Sequence, residues 1–291
     1  MFALTKRNCS LEYEYMQRAF SLVELSIVLV ILGLLTGGIL AGQSLIRAAE
    51  LRKLSVTPAQ FTAEWMSFKG KYQGIPGDLV NATKFFGGFA NPSVYTGTDP
   101  TNANGTVNGD GNGWVEWNIV PADGGASHGG EQYWVNNHLY LSGLSVDRAA
   151  PHNSPTLPRS SHFLMKAPAI SGFMMIGRNS STKWAGIYIG TPANPNWGPL
   201  EKDGHALQFV SLLQNNQAWG PAIKPEEIWN IDQKLDDGKP LTGVIQAYDG
   251  GDPSSGSNPP PRLACLKLTG SDWEYDLSVT DITCRFAYFI K

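Results

Sequence analysis

Oxygen-bearing side chains alternate with glycines between positions 108 and 113, a pattern typical of the first half of a calcium-binding loop. The candidate ligands are Asn108, Asp110, Asn112 and, at the ninth position of such a loop, Glu116. The acid expected at the twelfth position is missing, because that residue is Ile119. An ordinary Asx/Gly turn leading into a strand over 114–120 explains the same residues. The sequence therefore leaves two interpretations open, a plain turn and a Ca²⁺ site, and it suggests no other cofactor.

Two further groups of side chains are candidates for chemistry. Ser127 stands at the centre of a G-x-S-x-G pattern, but that motif needs a strand–turn–helix and here it lies in a glycine-rich loop. Asp232, Asp236 and Asp237 could bind a cation, although a solvated turn after a helix explains them as well. The histidines form no metal-type pair such as H-E-x-x-H. We therefore predict that the chain is not an enzyme and has no catalytic residues.

A single carboxylate, Glu24, lies near the start of a long apolar stretch that begins at Phe20. From Leu25 to Ile46 no residue is charged. A helix of that length covers roughly 33 Å at about 1.5 Å per residue, enough to span a bilayer core. The stretch is too long for a signal peptide and lacks the small-residue cleavage site of one. A carboxylate in lipid is costly, so its presence implies a partner that neutralises it.

The eight residues from Arg18 to Leu25 read Arg-Ala-Phe-Ser-Leu-Val-Glu-Leu. Followed by an apolar run, they resemble the processing site of type IV prepilins and type II secretion pseudopilins. The resemblance implies a cytoplasmic leader over 1–19, cleavage by the prepilin peptidase between Ala19 and Phe20, and N-methylation of Phe20. Glu24 corresponds to the carboxylate that acts in assembly. The family's usual residue before the cut is glycine, and this chain has Ala19 in its place.

The resemblance also implies a function and a set of partners. It predicts a structural subunit of a type IV pilus or pilus-like filament, and the 272 residues left after cleavage favour a minor subunit over a compact major one. The alternatives are a type II secretion pseudopilin and a membrane-anchored surface-binding protein. The implied partners are the peptidase and methylase, other pilin subunits, the inner-membrane assembly platform and membrane lipid. The expected location is the bacterial inner membrane, with a cytoplasmic N-terminus, before assembly, and the periplasm or a surface filament afterwards.

Packing considerations support this interpretation from the residues alone. In a filament core no water solvates Glu24, so its carboxylate can pair with the α-amino group of Phe20 on a neighbouring subunit. Gly33, Gly37 and Gly38 let helices approach closely, as in membrane helix packing. The same glycines would also loosen the helix locally.

The apolar segment, 20–46, is predicted to continue as an amphipathic helical half over 47–74. Aromatic residues spaced by four, three and four lie on one helical face and should dock the helix on an exported head over 75–291. They are Phe61, Trp65, Phe68 and Tyr72. Pro58 is expected to kink the helix or divide it in two, and Gly74 to Gly77 should end it.

The rest of the chain predicts an α+β protein, with the long helix packed on an antiparallel sheet and a loop-rich insertion before that sheet. Helices are expected over 131–141 and from Pro225 to about Leu235, where proline and acids suit a helix start. Strand patterns separated by Gly, Pro and Asn turns occupy the C-terminal half. They cover 162–165, 173–176, 184–189, 206–213, 243–248, 262–268 and 283–290.

Cysteines and charge agree with an exported head. Cys265 and Cys284 are the only cysteines after the leader, and a disulfide between them is expected, two buried thiols being the alternative. Pilin-family heads often carry such a C-terminal disulfide loop. The net charge of −3 indicates no nucleic-acid partner. A surface-binding or glycan-binding role would be favoured if exposed tryptophans clustered on one side; the candidates are Trp114, Trp117, Trp197 and Trp219.

Overall fold

The structure is a computed structural model that describes residues 21–88, 105–115, 131–146, 165–167, 171–178, 204–211, 220–251 and 262–290. The chain divides into two compact units, residues 1–49 and residues 50–291. The described elements combine a long N-terminal helix with shorter helices and an antiparallel sheet. The predicted α+β class is confirmed.

Helix α1 spans Leu22–Tyr72 and contains Pro58 without interruption, so the helix is not divided there. A proline inside a helix removes one backbone hydrogen bond, and Pro58 is buried within the second unit. In the second unit the predicted aromatic stripe is confirmed: Phe61, Trp65 and Phe68 are buried and Tyr72 packs against the same core. Gln73 takes a positive φ of 55° directly before Gly74, where the helix ends.

Three shorter helices follow within the described residues: α2 (Ala82–Phe86), α3 (Gln132–Leu141) and α4 (Pro225–Leu235). Helix α3 corresponds to the helix expected over 131–141, and its Trp134, Val135 and Leu139 are buried. Helix α4 begins at Pro225, and the backbone N–H of Lys224 donates to Glu227 Oε2 at 3.2 Å, which caps the helix.

Six strands form one antiparallel sheet in the order β1-β2-β3-β8-β4-β5. Their bounds are β1 Met165–Ala167, β2 Ser171–Arg178, β3 Gly204–Ser211, β4 Ile245–Gly251, β5 Arg262–Leu263 and β8 Cys284–Ile290. The last described strand, β8, lies between β3 and β4, in the middle of the sheet. Residues 284–287 of this strand are all buried, because both faces of a central strand are covered.

A separate hairpin consists of β6 (Leu266–Thr269) and β7 (Asp272–Tyr275). The predicted strand over 262–268 is therefore split between β5 and β6, and β7 was not predicted. The disulfide between Cys265 and Cys284 is present and joins the residue before the hairpin to the start of β8. The predicted strand over 184–189 lies outside the described residues.

Candidate functional site

The first half of α1 exposes an unbroken apolar surface. Every residue from 21 to 41 is exposed, and Leu22, Leu34 and Leu45 have 85%, 73% and 72% of their surface accessible. Within the described residues, α1 is the one helix long and apolar enough to cross a membrane. Its hydroxyls bond to the helix's own carbonyls, as Thr36 does to Leu32 at 2.8 Å. The surface therefore offers almost nothing but apolar atoms to whatever surrounds it.

Glu24 is held by the N-terminus of its own helix. The Ser21 backbone N–H donates to Glu24 Oε2 at 3.0 Å, and the Val23 N–H donates to Ser21 Oγ at 3.3 Å. These two bonds cap the start of the helix, and they place the carboxylate at the positive end of the helix dipole. The spacing Ser21-x-x-Glu24 is a recognisable capping signal that the sequence reasoning missed. One oxygen of Glu24 thus has a hydrogen-bond partner within the chain itself.

Four glycines in this half form open notches on the helix surface: Gly33, Gly37, Gly38 and Gly42. A Cβ placed on any of them would meet no atom within 4 Å. They fall into two pairs with a spacing of four residues, which is the small-xxx-small pattern of close helix contacts in membranes. The second pair adds Gly42 to the three glycines predicted from sequence.

Three carboxylates from distant parts of the sequence converge in the second unit. One oxygen each from Asp78, Asp110 and Glu131 lies within 4.8 Å of the other two. Asp78 follows α1, Asp110 belongs to the predicted calcium loop, and Glu131 immediately precedes α3. Asp78 and Glu131 are buried, whereas Asp110 is exposed. Burial raises the pKa of Asp78 from its usual 3.8 to about 6.

Backbone amides hold this group in place. Asp78 accepts hydrogen bonds from Gly111 N–H at 2.6 Å and Gly113 N–H at 2.8 Å, and Glu131 Oε1 accepts one from Asp110 N–H at 3.1 Å. A shared proton or a cation would relieve the repulsion between carboxylates this close, and hard cations such as Ca²⁺ take carboxylate oxygens as ligands. The structure thus brings Asp78 and Glu131 next to Asp110; neither lies in a local motif that could have indicated this.

Of the predicted calcium ligands, only Asp110 belongs to this acidic group. Asn108 Oδ1 accepts a hydrogen bond from Thr83 N–H at 2.9 Å, and Asn112 Oδ1 accepts one from Trp114 N–H at 2.8 Å. Asn112 also donates to Asp110 Oδ2 through its amide nitrogen. Glu116 lies outside the described residues. These contacts are those of the Asx/Gly turn, and the calcium site stays a prediction.

A second acidic group, Asp232, Asp236 and Asp237, lies at the end of α4. Tyr275 donates its hydroxyl to Asp232 Oδ2 at 2.7 Å, and Asp236 Oδ2 accepts hydrogen bonds from the backbone N–H groups of Val244 and Ile245. Burial raises the pKa of Asp232 to about 6. These carboxylates tie the turn after α4 to β4 and β7.

Comparison with known proteins bears on α1. Residues 15–40 match the family described as the prokaryotic N-terminal methylation motif, and that segment contains Glu24, three of the four glycines and most of the exposed apolar surface.

The chain carries the signature of type IV pilins and pseudopilins.

No curated protein and no solved structure matches the chain. The motif is that of a structural, pilin-type protein rather than of an enzyme family, and together with the apolar helix it supports membrane anchoring.

Several predicted positions of this pilin-like chain lie outside the described residues. Among them are Ala19 and Phe20 at the processing site, Ser127 of the G-x-S-x-G pattern, and the tryptophans at 117, 197 and 219. Trp114 is described; it is half-buried, and its ring stacks on that of His205 at a centroid distance of 5.6 Å.

Proposed function

We propose that this pilin-like chain is a structural subunit, and specifically a minor one, of a type IV pilus or pilus-like filament. In this proposal the prepilin peptidase cuts between Ala19 and Phe20, Phe20 is N-methylated, and the subunit polymerises through α1. The observation that carries the proposal is the exposed apolar half of α1, which has Glu24 in its first turn and overlaps the methylation motif. The mature length of 272 residues favours the minor role.

The exposed half of α1 suits first a membrane and then a filament core. In the membrane its apolar side chains contact lipid, and its hydroxyls are satisfied within the helix. In a filament the same surface packs against the α1 helices of neighbouring subunits. The notches at Gly33 and Gly37 let two such helices approach closely.

Glu24 gives the assembly its register. While the subunit is in the membrane, the Ser21 backbone N–H donates a hydrogen bond to one carboxylate oxygen of Glu24. In the packed filament core the negative charge of Glu24 also needs a cation. The α-amino group of Phe20 on a neighbouring subunit supplies it. Removing one partner from a buried ion pair costs about 3–5 kcal/mol, so subunits out of register are disfavoured strongly.

The test is a comparison of Glu24→Gln with the wild-type chain, expressed in the native host. We expect the wild-type protein in sheared surface filaments, with an intact mass and an N-terminal peptide that begin at methylated Phe20. The Gln variant keeps the shape and the capping acceptor but loses the charge, so it should be cleaved normally and yet be at least tenfold depleted from filaments. Glu50→Gln, which changes an acid in the same helix outside the apolar half, is the matched control.

Two results would contradict the proposal, and a third would favour one of its alternatives. A wild-type chain that keeps residues 1–19, or that is found only in membranes, would favour a membrane-anchored surface-binding protein with a pilin-like N-terminus. Recovery of Glu24→Gln in filaments at the wild-type level would remove the assembly role of this carboxylate. Loss of protein secretion without loss of surface filaments, on deletion of the chain, would favour the pseudopilin alternative.

A further inference from the structure

A groove of about 550 Å³ opens in the second unit between the turn that follows α4 and the hairpin β6–β7. Its volume lies within the range of small-molecule sites, about 300–1,000 Å³. One wall consists of Trp229 from α4 and residues 238–242, and the other consists of residues 271–275 and Leu277. None of these residues belongs to α1 or to the acidic group around Asp78.

Aromatic side chains from two different elements line the groove. Trp229 and Trp273 are half-buried, and both pack against the hydrophobic core. Tyr275 is buried, and since side chains alternate along a strand, it lies on the same face of β7 as Trp273. The two indole rings are therefore held by the core while part of their surface remains accessible from the groove.

Hydrogen bonds fix both walls before any ligand arrives. Tyr275 on the hairpin wall donates to Asp232 at the end of α4, and Thr242 on the opposite wall donates to Asp237. The Asp276 N–H donates to the carbonyl of Cys265 at 2.9 Å, next to the disulfide, and so anchors the end of β7. A preformed site loses less conformational entropy on binding than a mobile one.

The rim of the groove is polar and carries both signs of charge. Lys239, Ser271, Asp272 and Thr242 are all exposed there. One lysine against the carboxylates of Asp272 and Glu274 gives no excess of positive charge, so the groove does not suit a phosphorylated ligand. An aromatic floor below hydroxyl, ammonium and carboxylate groups matches a ligand with one apolar face and many hydroxyls, which is the chemistry of a sugar ring.

We propose that this groove is a binding site for a neutral oligosaccharide, with a sugar ring stacked on Trp273 and Trp229. The site lies within one subunit, so this proposal does not rest on filament assembly. If the filament proposal also holds, each subunit would present the groove to surface glycans.

The experiment uses the full chain in a detergent without a sugar headgroup, because a glucoside or maltoside would compete. The protein is applied to an array of neutral oligosaccharides, and the strongest binder is then titrated by calorimetry. Trp273→Ala should weaken binding at least tenfold because it removes the stacking surface. Ser271→Trp, which adds bulk at an exposed turn position on the rim, should block the groove to a similar degree while both indoles remain. Trp114→Ala is the matched control, since Trp114 stacks on His205 outside the groove.

The variants separate loss of binding from loss of fold. Because Trp273 packs against the core, the melting temperature of Trp273→Ala is measured as well. If Trp273→Ala unfolds, the result for Ser271→Trp decides the test. Binding by wild type and Trp114→Ala, with loss in the groove variants, supports the proposal. The absence of wild-type binding across the array, equal loss in Trp114→Ala, or undiminished binding by Ser271→Trp overturns it.

Discussion

Protonation of His138 should destabilise the second unit in weak acid. The ring is completely buried; its Nδ1 accepts a hydrogen bond from Gly77 N–H at 2.9 Å, and its Nε2 lies 3.3 Å from the carbonyl oxygen of Val107. Only the neutral imidazole with hydrogen on Nε2 can make both bonds. His138 thereby joins α3 to the segment after α1 and to the loop before Asp110. A proton on Nδ1 would break the bond from Gly77 and leave a charge without solvent.

The size of the effect follows from the pKa of His138. Burial lowers that pKa from 6.5 to about 4. Between these values the unfolded chain binds more protons than the folded one, so stability falls as the pH falls. At pH 4.5 His138 alone should lower the free energy of unfolding by about 2.5 kcal/mol relative to pH 7.5. Burial likewise lowers the pKa of His205 to about 4, with a contribution from Lys69.

Two buried acids change the stability in the opposite direction to His138 as the pH falls. The effect of His138 must therefore be measured with a variant of that residue. Burial raises the pKa of Asp78 and of Asp232 to about 6, so these groups add stability as the pH falls below 6 and they become protonated. The pH dependence of the wild-type chain is therefore a sum of opposing contributions. Only a comparison with a chain that lacks the His138 titration isolates that one contribution.

The assay is urea unfolding of the full chain in detergent micelles at pH 7.5 and 4.5, for wild type and His138→Gln. A glutamine offers one acceptor and one donor but does not titrate, so at pH 7.5 we expect the variant to be less stable by about 1–3 kcal/mol from imperfect hydrogen bonds. At pH 4.5 that difference should shrink by about 2.5 kcal/mol or reverse, because only the wild type must bind a proton on unfolding. An NMR titration of the His138 ring provides the direct control. Equal pH dependence in both proteins, or a wild-type ring that titrates near 6.5, would refute the reasoning.

Two further predictions concern covalent structure and packing. Replacing Cys265 and Cys284 by serine should lower the free energy of unfolding by roughly 3 kcal/mol, measured by urea unfolding; a midpoint equal to that of the oxidised wild type would exclude a stabilising disulfide. Gly109→Ala should cost about 1–3 kcal/mol because its Cβ would lie 2.3 Å from Asp78 Cα. Gly70→Ala is the matched control: with nothing within 4 Å in a helix, it should be neutral or gain up to about 1 kcal/mol. Equal melting temperatures for the two alanine variants would contradict this.

Features that depend on neighbours along the chain could be predicted from the sequence. The aromatic spacing in α1 identified the buried face correctly, and the proline and acids at the start of α4 located that helix within a residue or two. The pairing of Cys265 with Cys284 followed from their being the only two cysteines after Cys9, which lies near the N-terminus. Hairpin β6–β7 was missed because its strands have only four residues each, and most of those are exposed, so no apolar alternation indicates them.

The sequence by itself identified the N-terminal methylation motif and the apolar helix, because the motif, Glu24 and the apolar run are contiguous along the chain. Only the tertiary structure decided which carboxylates share a site. Asp78, Asp110 and Glu131 meet through the packing of segments 32 and 21 residues apart, and no local pattern specifies that encounter. The groove that Trp229 and Trp273 line also depends on long-range packing. Strand β8 lies in the centre of the sheet, and the disulfide at its start holds the hairpin β6–β7 beside α4. Long-range packing of this kind depends on the shape of the whole core rather than on the order of residues in any one segment.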